Sequence, residues 1–196
     1  MQTVYIGMGG NLPSEVGPPE ATLAAAIDHI ESLGHVIRRS SLYSTEPVGF
    51  ADQPRFVNAV VALKTSFEPH ALLHGLLAIE LEFGRDRAAG FANGPRTLDL
   101  DILLFGDLII DETDLKIPHP RLTERAFVLV PLNEIAPQAM DAASGKTVGQ
   151  WLDRLFPHPE DAIHAVFKIQ SDGWRAGPDR EDDLDSDRNA AGSGSA

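Results

Sequence analysis

The stretch Gly94-Pro95-Arg96-Thr97-Leu98-Asp99-Leu100-Asp101-Ile102-Leu103-Leu104-Phe105 decides how this chain is read. Side chains alternate along a strand, so Asp99 and Asp101 share one face while Leu98, Leu100 and Ile102 share the other. Two carboxylates at i and i+2 repel each other, and half-burial adds a desolvation cost unless a cation lies between them. Hard oxygen donors without cysteine or a histidine pair point to Mg²⁺, and two carboxylates leave coordination positions open for substrate phosphates. Taken alone, Asp-x-Asp reads better as the solvated polar face of an edge strand. Its surroundings argue for chemistry. Arg96 lies three residues before Asp99, and Arg85 and Arg87 lie in a loop bearing Gly84, Gly90 and Gly94. A basic loop beside an acidic pair suits polyphosphate: metal bridges phosphate oxygens while guanidinium forks neutralise charge on the transferring group.

Working outward, hydrophobic periodicity supplies the remaining elements. Residues 3–8 read as a strand. Pro18-Pro19 opens a helix with Leu23, Ile27, Ile30 and Leu33 on one face, and Gly34 closes it. Residues 36–44 are extended and 55–65 are rich in β-formers. Residues 69–83 form a second amphipathic helix, packing through Leu72, Leu73, Leu76, Leu77 and Ile79, with Gly84 as its stop. Residues 97–105 are the strand quoted above. Shorter helices are expected at 126–135 and 148–155, and a last strand at 162–169. The order β-α-β-β-α-β places the chain in the α+β class, with a ferredoxin-like core plus additional strands and helices.

Two phosphate-loop motifs fail. Ser144-Gly145-Lys146-Thr147 resembles the end of a Walker A loop, but Met140 stands where its first glycine belongs. A turn leading into the Val148 helix is the better reading. Gly7-Met8-Gly9-Gly10-Asn11-Leu12 begins like a dinucleotide fingerprint, yet Leu12 occupies the third glycine position. Those glycines are expected to permit a tight turn or close approach to a ligand at the strand's end.

Composition narrows the classes further. The chain has 196 residues, 43% hydrophobic and 23% charged, which suits one globular domain. A formal charge of −13 argues against a broad nucleic-acid surface. The absence of cysteine removes disulfides, thiolate nucleophiles and iron–sulfur clusters. No signal peptide or membrane span is expected, and the cytoplasm is the expected location. Residues 171–196 carry seven acids and three arginines, and only Trp174 and Leu184 as large apolar groups. They are expected to form a disordered acidic tail after a folded domain of residues 1–170. No fused second enzyme is expected in a chain of this length. Among the seven histidines, His119 stands out, fixed between Pro118 and Pro120 with Arg121 and Arg125 following.

At this point the residues match a known family. Tyr5–Leu12, Tyr43–Gly49, Asp52–Ala59, Gly94–Asp101 and Ile117–Arg121 together resemble the 6-hydroxymethyl-7,8-dihydropterin pyrophosphokinases of folate biosynthesis, collinear over about residues 3–168. The resemblance implies that the hydroxyl of 6-hydroxymethyl-7,8-dihydropterin attacks the β-phosphorus of MgATP, pyrophosphate moves as a unit and AMP leaves. It implies that Asp99 and Asp101 hold two Mg²⁺ ions, one of them activating the attacking hydroxyl, so that no protein base is needed. It assigns Arg85, Arg87, Arg96, Ile102 and His119 to the nucleotide, with Arg85 and Arg96 also catalytic. It assigns Thr45, Pro47, Val48, Phe56, Asn58 and Phe127 to the pterin: Asn58 pairs with its edge and the two phenylalanines sandwich it. A monomer is expected.

The sequence departs from that family at Asn93, where an aromatic residue is usual, and at Ala92, where a basic one is usual. The loop 84–94 also carries an extra residue, and Phe91 offers an aromatic from a shifted position. These departures favour, as an alternative, a non-catalytic relative that binds pterin or nucleotide. A metal-dependent phosphohydrolase that needs no pterin is a further alternative.

Overall fold

The structure, a computed structural model, describes residues 1–85, 93–158 and 166–178. Strand β1 (Gln2–Gly10) leads into helix α1 (Pro19–Ile30), which begins on Pro19 and runs into a short 3₁₀ turn ending at Leu33. Strands β2 (His35–Arg39), β3 (Leu42–Thr45) and β4 (Phe56–Thr65) follow, then helix α2 (Pro69–Glu82) and strand β5 (Asp99–Phe105). A hairpin of β6 (Ile110–Asp111) and β7 (Lys116–Ile117) precedes helix α3 (Ala126–Ile135). Another hairpin, β8 (Met140–Asp141) with β9 (Lys146–Thr147), precedes helix α4 (Val148–Leu155), and β10 (Phe167–Ile169) and β11 (Gly177–Pro178) complete the sheet.

One antiparallel sheet organises these elements. Its central order is β10-β3-β4-β1-β5, with β2 also on β4 and β11 on β2. Alternation along β1 gives the sheet two apolar faces. Val4, Ile6 and Met8 join Leu98, Leu100 and Ile102 of the 97–105 stretch under α1 and α2, which contribute Leu23, Ile27, Leu72 and Leu76. Val60, Ala62, Leu103 and Leu104 pack on the opposite face against Leu129 and Leu132 of α3 and Val148 of α4. Leu98 and Leu100 are at most 1% exposed, so truncating either to alanine costs about 2–5 kcal/mol. The same alternation that buries them turns Asp99 and Asp101 to the α3 side.

Three expectations are corrected. Residues 36–44 are two strands, because the Ser40 side chain replaces a backbone partner: Val60 N donates to Ser40 Oγ at 2.9 Å while Ser40 N donates to Val60 O at 2.9 Å. The folded unit does not stop at residue 170. Trp174 is 8% exposed, joins the core under α1 and donates its indole N–H to Ser40 O at 2.8 Å. A lone Trp in an acidic segment thus has an apolar pocket and an acceptor; residues 179–196 lie outside the described residues, as do 162–165 of the expected last strand. Finally, β1 makes no tight turn at its glycines, which remain paired through Gly10.

Other readings hold. Gly84 follows α2 at φ +81°, a left-handed position that favours glycine. Ser144-Gly145 ends the β8–β9 turn, Lys146-Thr147 is β9 leading into α4, and Thr147 caps α4 with Gln150 in a capping box. Among the described residues, no helix is long and apolar enough to cross a membrane.

Candidate active site

Strands β1 and β5 pair so that Gly7 stands opposite Asp101 and Gly9 opposite Asp99. Glycine leaves open the face that the carboxylates occupy. A Cβ on Gly9 would stand 2.9 Å from Asn58 Oδ1, and one on Gly10 would stand 2.3 Å from Thr97 O. Burial and the neighbouring Asp99 push the Asp101 carboxyl up to about 6, only partly offset by Arg125 and Arg85. The pair is therefore a set of hard oxygen donors that is electrostatically costly without a cation. That donor chemistry fits Mg²⁺.

Guanidinium groups surround the pair. Arg85 Nη1 donates to Asp99 Oδ1, to Glu80 Oε1 at 2.8 Å and to Leu98 O at 3.1 Å. Arg96 Nη2 lies 2.8 Å from Asp99 Oδ2, and the Arg96 guanidinium sits 4.9 Å from the centre of the Phe56 ring. Arg125 lies 5.4 Å from the Phe127 ring. Burial and Arg121 lower its pKa, against the pull of Asp101 and Asp99. Among the described residues, Arg96 Nε and Arg125 Nε are buried without a hydrogen-bond partner, so each retains a donor for an anionic ligand. Asn11, only 3% exposed, aims the Arg96 segment. Its Oδ1 accepts Arg96 N–H at 2.8 Å, while its Nδ2 donates to Gln53 Oε1 and Pro54 O, both at 3.0 Å.

A recess of about 440 Å³ opens above Phe56 and Phe127, walled also by Thr45, Val48, Asn58 and Arg96. Asn58 Nδ2 donates to Thr45 Oγ1 at 2.8 Å, which orients the amide and turns its Oδ1 over Gly9. Pro47 is half-buried in the 45–48 segment but does not line the recess. Asn93 adopts φ +60°, a conformation asparagine tolerates, and accepts from Gln53 Nε2 through its carbonyl at 2.9 Å. It lines the recess itself.

A second, open recess of about 1010 Å³ lies beyond the β5 edge, between α2 and the β6–β7 hairpin. Ile102, His119, Leu73 and Leu77 wall it, which explains why these two leucines, expected to pack in the core, are only half-buried. His119 Nδ1 accepts Arg121 N–H at 3.1 Å, so the neutral ring carries its proton on Nε2. Burial, with Arg125 and Arg121 nearby, lowers the His119 pKa to about 4. Asp101 lies where the two halves meet: it borders the open recess and, from the other side, the cleft beneath Arg96, Arg125 and Phe127.

The structure thus brings together Asp99, Asp101, Arg85, Arg96, Phe56, Asn58, Thr45, Val48 and Phe127, with Ile102 and His119 across the strand edge. Arg87, Ala92 and Phe91 lie outside the described residues. Asn11, Glu80 and Arg125 gain places that sequence reasoning did not give them. Only the position of Asn11 directly after the glycines, and the run Arg121–Arg125 after His119, hinted at two of these. His70, with Glu112 at 3.2 Å and Asp114 at 3.9 Å, is a separate exposed group on the far rim, an ion-pair cluster of small energetic weight.

Comparison with known proteins bears on this geometry. A family model described as 7,8-dihydro-6-hydroxymethylpterin-pyrophosphokinase matches residues 5–137. A Pseudomonas aeruginosa protein named 2-amino-4-hydroxy-6-hydroxymethyldihydropteridine pyrophosphokinase is 49% identical over 139 residues, 70% of this chain and 82% of its own length. Its namesake from Methylorubrum extorquens is 40% identical over 159 residues, 80% of this chain and 96% of its own. Among solved structures, wild-type Plasmodium falciparum HPPK-DHPS shares the fold with a TM-score of 0.68 at 16% identity; 87% of this chain matches about half (48%) of that one. The chain belongs to the 7,8-dihydro-6-hydroxymethylpterin-pyrophosphokinase family.

Proposed function

We propose that this chain transfers pyrophosphate from ATP to the hydroxyl of 6-hydroxymethyl-7,8-dihydropterin, releasing AMP, in folate synthesis, with Mg²⁺ as the required cation held by Asp99 and Asp101. Family membership supports the reaction class. The observation that carries the site assignment is that Asp101 borders the open recess and also the cleft walled by Asn58, Arg96, Arg125 and Phe127, residues that wall the Phe56 recess as well. A pterin lying on Phe56 and Phe127 and a nucleotide along Ile102 and His119 would present their reacting ends to one carboxylate pair. The strand order β5-β1-β4, with β2 and β3 both on β4 and α1 and α2 on one face, supports a ferredoxin-like frame for the site.

In this reading the pterin hydroxyl oxygen bonds to the β-phosphorus as the bond from that phosphorus to the α,β-bridging oxygen breaks. The bridging oxygen leaves with AMP, and the hydroxyl proton passes to solvent. Bound Mg²⁺ would supply charge neutralisation on the phosphates and a lowered pKa for the attacking hydroxyl. Arg85 and Arg96 offer fixed guanidinium donors to the transferring group. Neutral His119 offers its Nε2 proton to the nucleotide. Phe56 and Phe127 fix the plane of the pterin, while Asn58, held by Thr45, offers an acceptor to its edge. The cytoplasm, where ATP is at hand, is the compartment this reading assigns.

The test is an assay of AMP with and without pterin at saturating Mg²⁺. AMP that appears only with 6-hydroxymethyl-7,8-dihydropterin supports the proposal. Pterin-independent phosphate release would replace it with a phosphohydrolase. Binding of both ligands without AMP would replace it with a non-catalytic relative.

A further inference from the structure

Glu80 is a carboxylate buried at the end of α2, its side chain only 2% exposed. A charge so placed is retained only with strong partners. One oxygen, Oε1, receives both Arg85 Nη1 at 2.8 Å and the backbone N–H of Leu100 at 2.8 Å. Leu100 lies between Asp99 and Asp101, so a single atom ties the phosphate arm to the segment carrying both carboxylates. Arg85 has a second acid partner, Asp99, whose side chain is 16% exposed and faces the cleft. The two partners differ in what they are free to do. Asp99 faces the cleft and is free to turn from Arg85 to a cation, whereas Glu80 is enclosed.

We propose that Glu80 is the positioning residue that retains Arg85 at the site when Asp99 turns from the guanidinium to a cation. It does so by charge, and it holds the Leu100 backbone in the same contact, so the distance from arm to carboxylates is kept through the exchange. Without that charge, Asp99 is the ion-pair partner left to Arg85 among the described residues, and Arg85 competes for it with the cation. This rests on the pyrophosphokinase reading and concerns this chain's own residues.

Glu80→Gln is the informative variant, because its amide oxygen still accepts the Leu100 N–H while the charge is lost. The expected result is a several-fold rise in the Mg²⁺ concentration giving half-maximal AMP release, and kcat lowered about tenfold or more. The KM for pterin should hardly move. In an Arg85→Ala background the same substitution should cost little further, since the group being positioned is gone. A readout independent of turnover is calorimetric binding of Mn²⁺ alone, which Glu80→Gln should weaken and Arg85→Ala/Glu80→Gln should restore. An unchanged Mg²⁺ midpoint, or full additivity of the two substitutions, would overturn the proposal. If Glu80→Gln does not fold, the wild type still decides. Arg85 guanidinium protons, followed by nitrogen-15 NMR with Mg²⁺ and a non-hydrolysable ATP analogue, should remain slow to exchange; free exchange refutes the anchor. Wild-type AMP release with pterin tests the underlying reading separately.

Discussion

Arg96 Nη2 lies 2.8 Å from Asp99 Oδ2, and Arg85 holds the other oxygen of the same carboxylate. Each oxygen of that carboxylate is thus bonded to a group that a polyphosphate would attract. On the proposed function, Asp99 would pass to the cation and the two guanidiniums to phosphate oxygens. The arrangement keeps a basic cluster and an acidic pair compatible in one partly buried cleft.

Asp99→Ala follows directly from that exchange. Turnover should fall roughly 10³-fold or more, as the carboxylate proposed to hold the cation is lost. Affinity for ATP in the presence of EDTA should stay level or tighten, because Arg96 and Arg85 both lose the Asp99 carboxylate while Glu80 still holds Arg85. Calorimetry with a non-hydrolysable analogue and AMP release measure the two halves separately. Normal turnover would exclude Asp99 as a metal ligand.

Asp101 makes the opposite trade. Its carboxyl is pushed up to about 6 by burial and by Asp99, so the ionised form strains the fold at neutral pH. Asp101→Asn should raise stability in EDTA by about 1–3 kcal/mol, on the scale of roughly 1.4 kcal/mol per pKa unit, while activity is lost. Urea unfolding with and without Mg²⁺ checks it. A less stable Asp101→Asn protein in EDTA would refute the account of the pair as a costly one.

His119 gives a pH dependence whose sign can be worked out. Its folded pKa is about 4 against an unfolded value near 6.5, so between those values the unfolded chain binds the extra proton. Stability should therefore be fully present above about pH 6.5 and decline as pH falls towards 4, by up to on the order of 3 kcal/mol from this group. His119→Asn, whose side-chain oxygen can accept the Arg121 N–H in place of Nδ1, should flatten that slope. An unaltered slope in denaturant melts across this range would show that His119 is not the titrating group.

How much of this was legible beforehand depends on the kind of residue. Alternation in 97–105 placed Asp99 and Asp101 opposite Leu98 and Leu100, and period 3.6 placed α1 and α2, because local pattern and burial coincide there. Ser40 was opaque, since a side chain substituting for a backbone acceptor leaves no periodic mark. Glu80 was hidden for a related reason: it lies on an apolar helix, and only the partner Arg85 and the Leu100 N–H give it meaning. Glu134 accepts from Ser41, Tyr43 and Lys168, pairing across |i−j| above 30 that no motif announces. Trp174 is not legible from composition, because the acidic residues around it outweigh one side chain's capacity to bury.

Trp174→Ala measures that capacity. Losing a buried indole and its bond to Ser40 O should cost about 3–5 kcal/mol in urea unfolding. Catalysis by the folded fraction should be unchanged, since Trp174 lies under α1 on the face opposite the carboxylates. A cost below about 0.5 kcal/mol would mean that the segment 171–178 does not dock in solution.

Gly9 and Gly10 separate two demands that one glycine-rich run satisfies. A Cβ on Gly9 would meet Asn58 Oδ1 at 2.9 Å, the end of a side chain that can swing, and Asn58 would leave its bond with Thr45. Gly9→Ala should therefore fold, with pterin KM raised about tenfold or more and ATP binding little altered. A Cβ on Gly10 would stand 2.3 Å from Thr97 O, a backbone atom fixed between Arg96 and Leu98. Relief there requires parting β1 from the Arg96 segment, which also carries the bonds of Asn11 N and Leu12 N to Arg96 O. Gly10→Ala should cost several kcal/mol of stability, on the scale of an overpacked core, and displace Arg96 with it. Pterin and nucleotide affinities measured side by side on the two variants check the division. Equal loss of both ligands in Gly9→Ala would show that the run serves the fold alone.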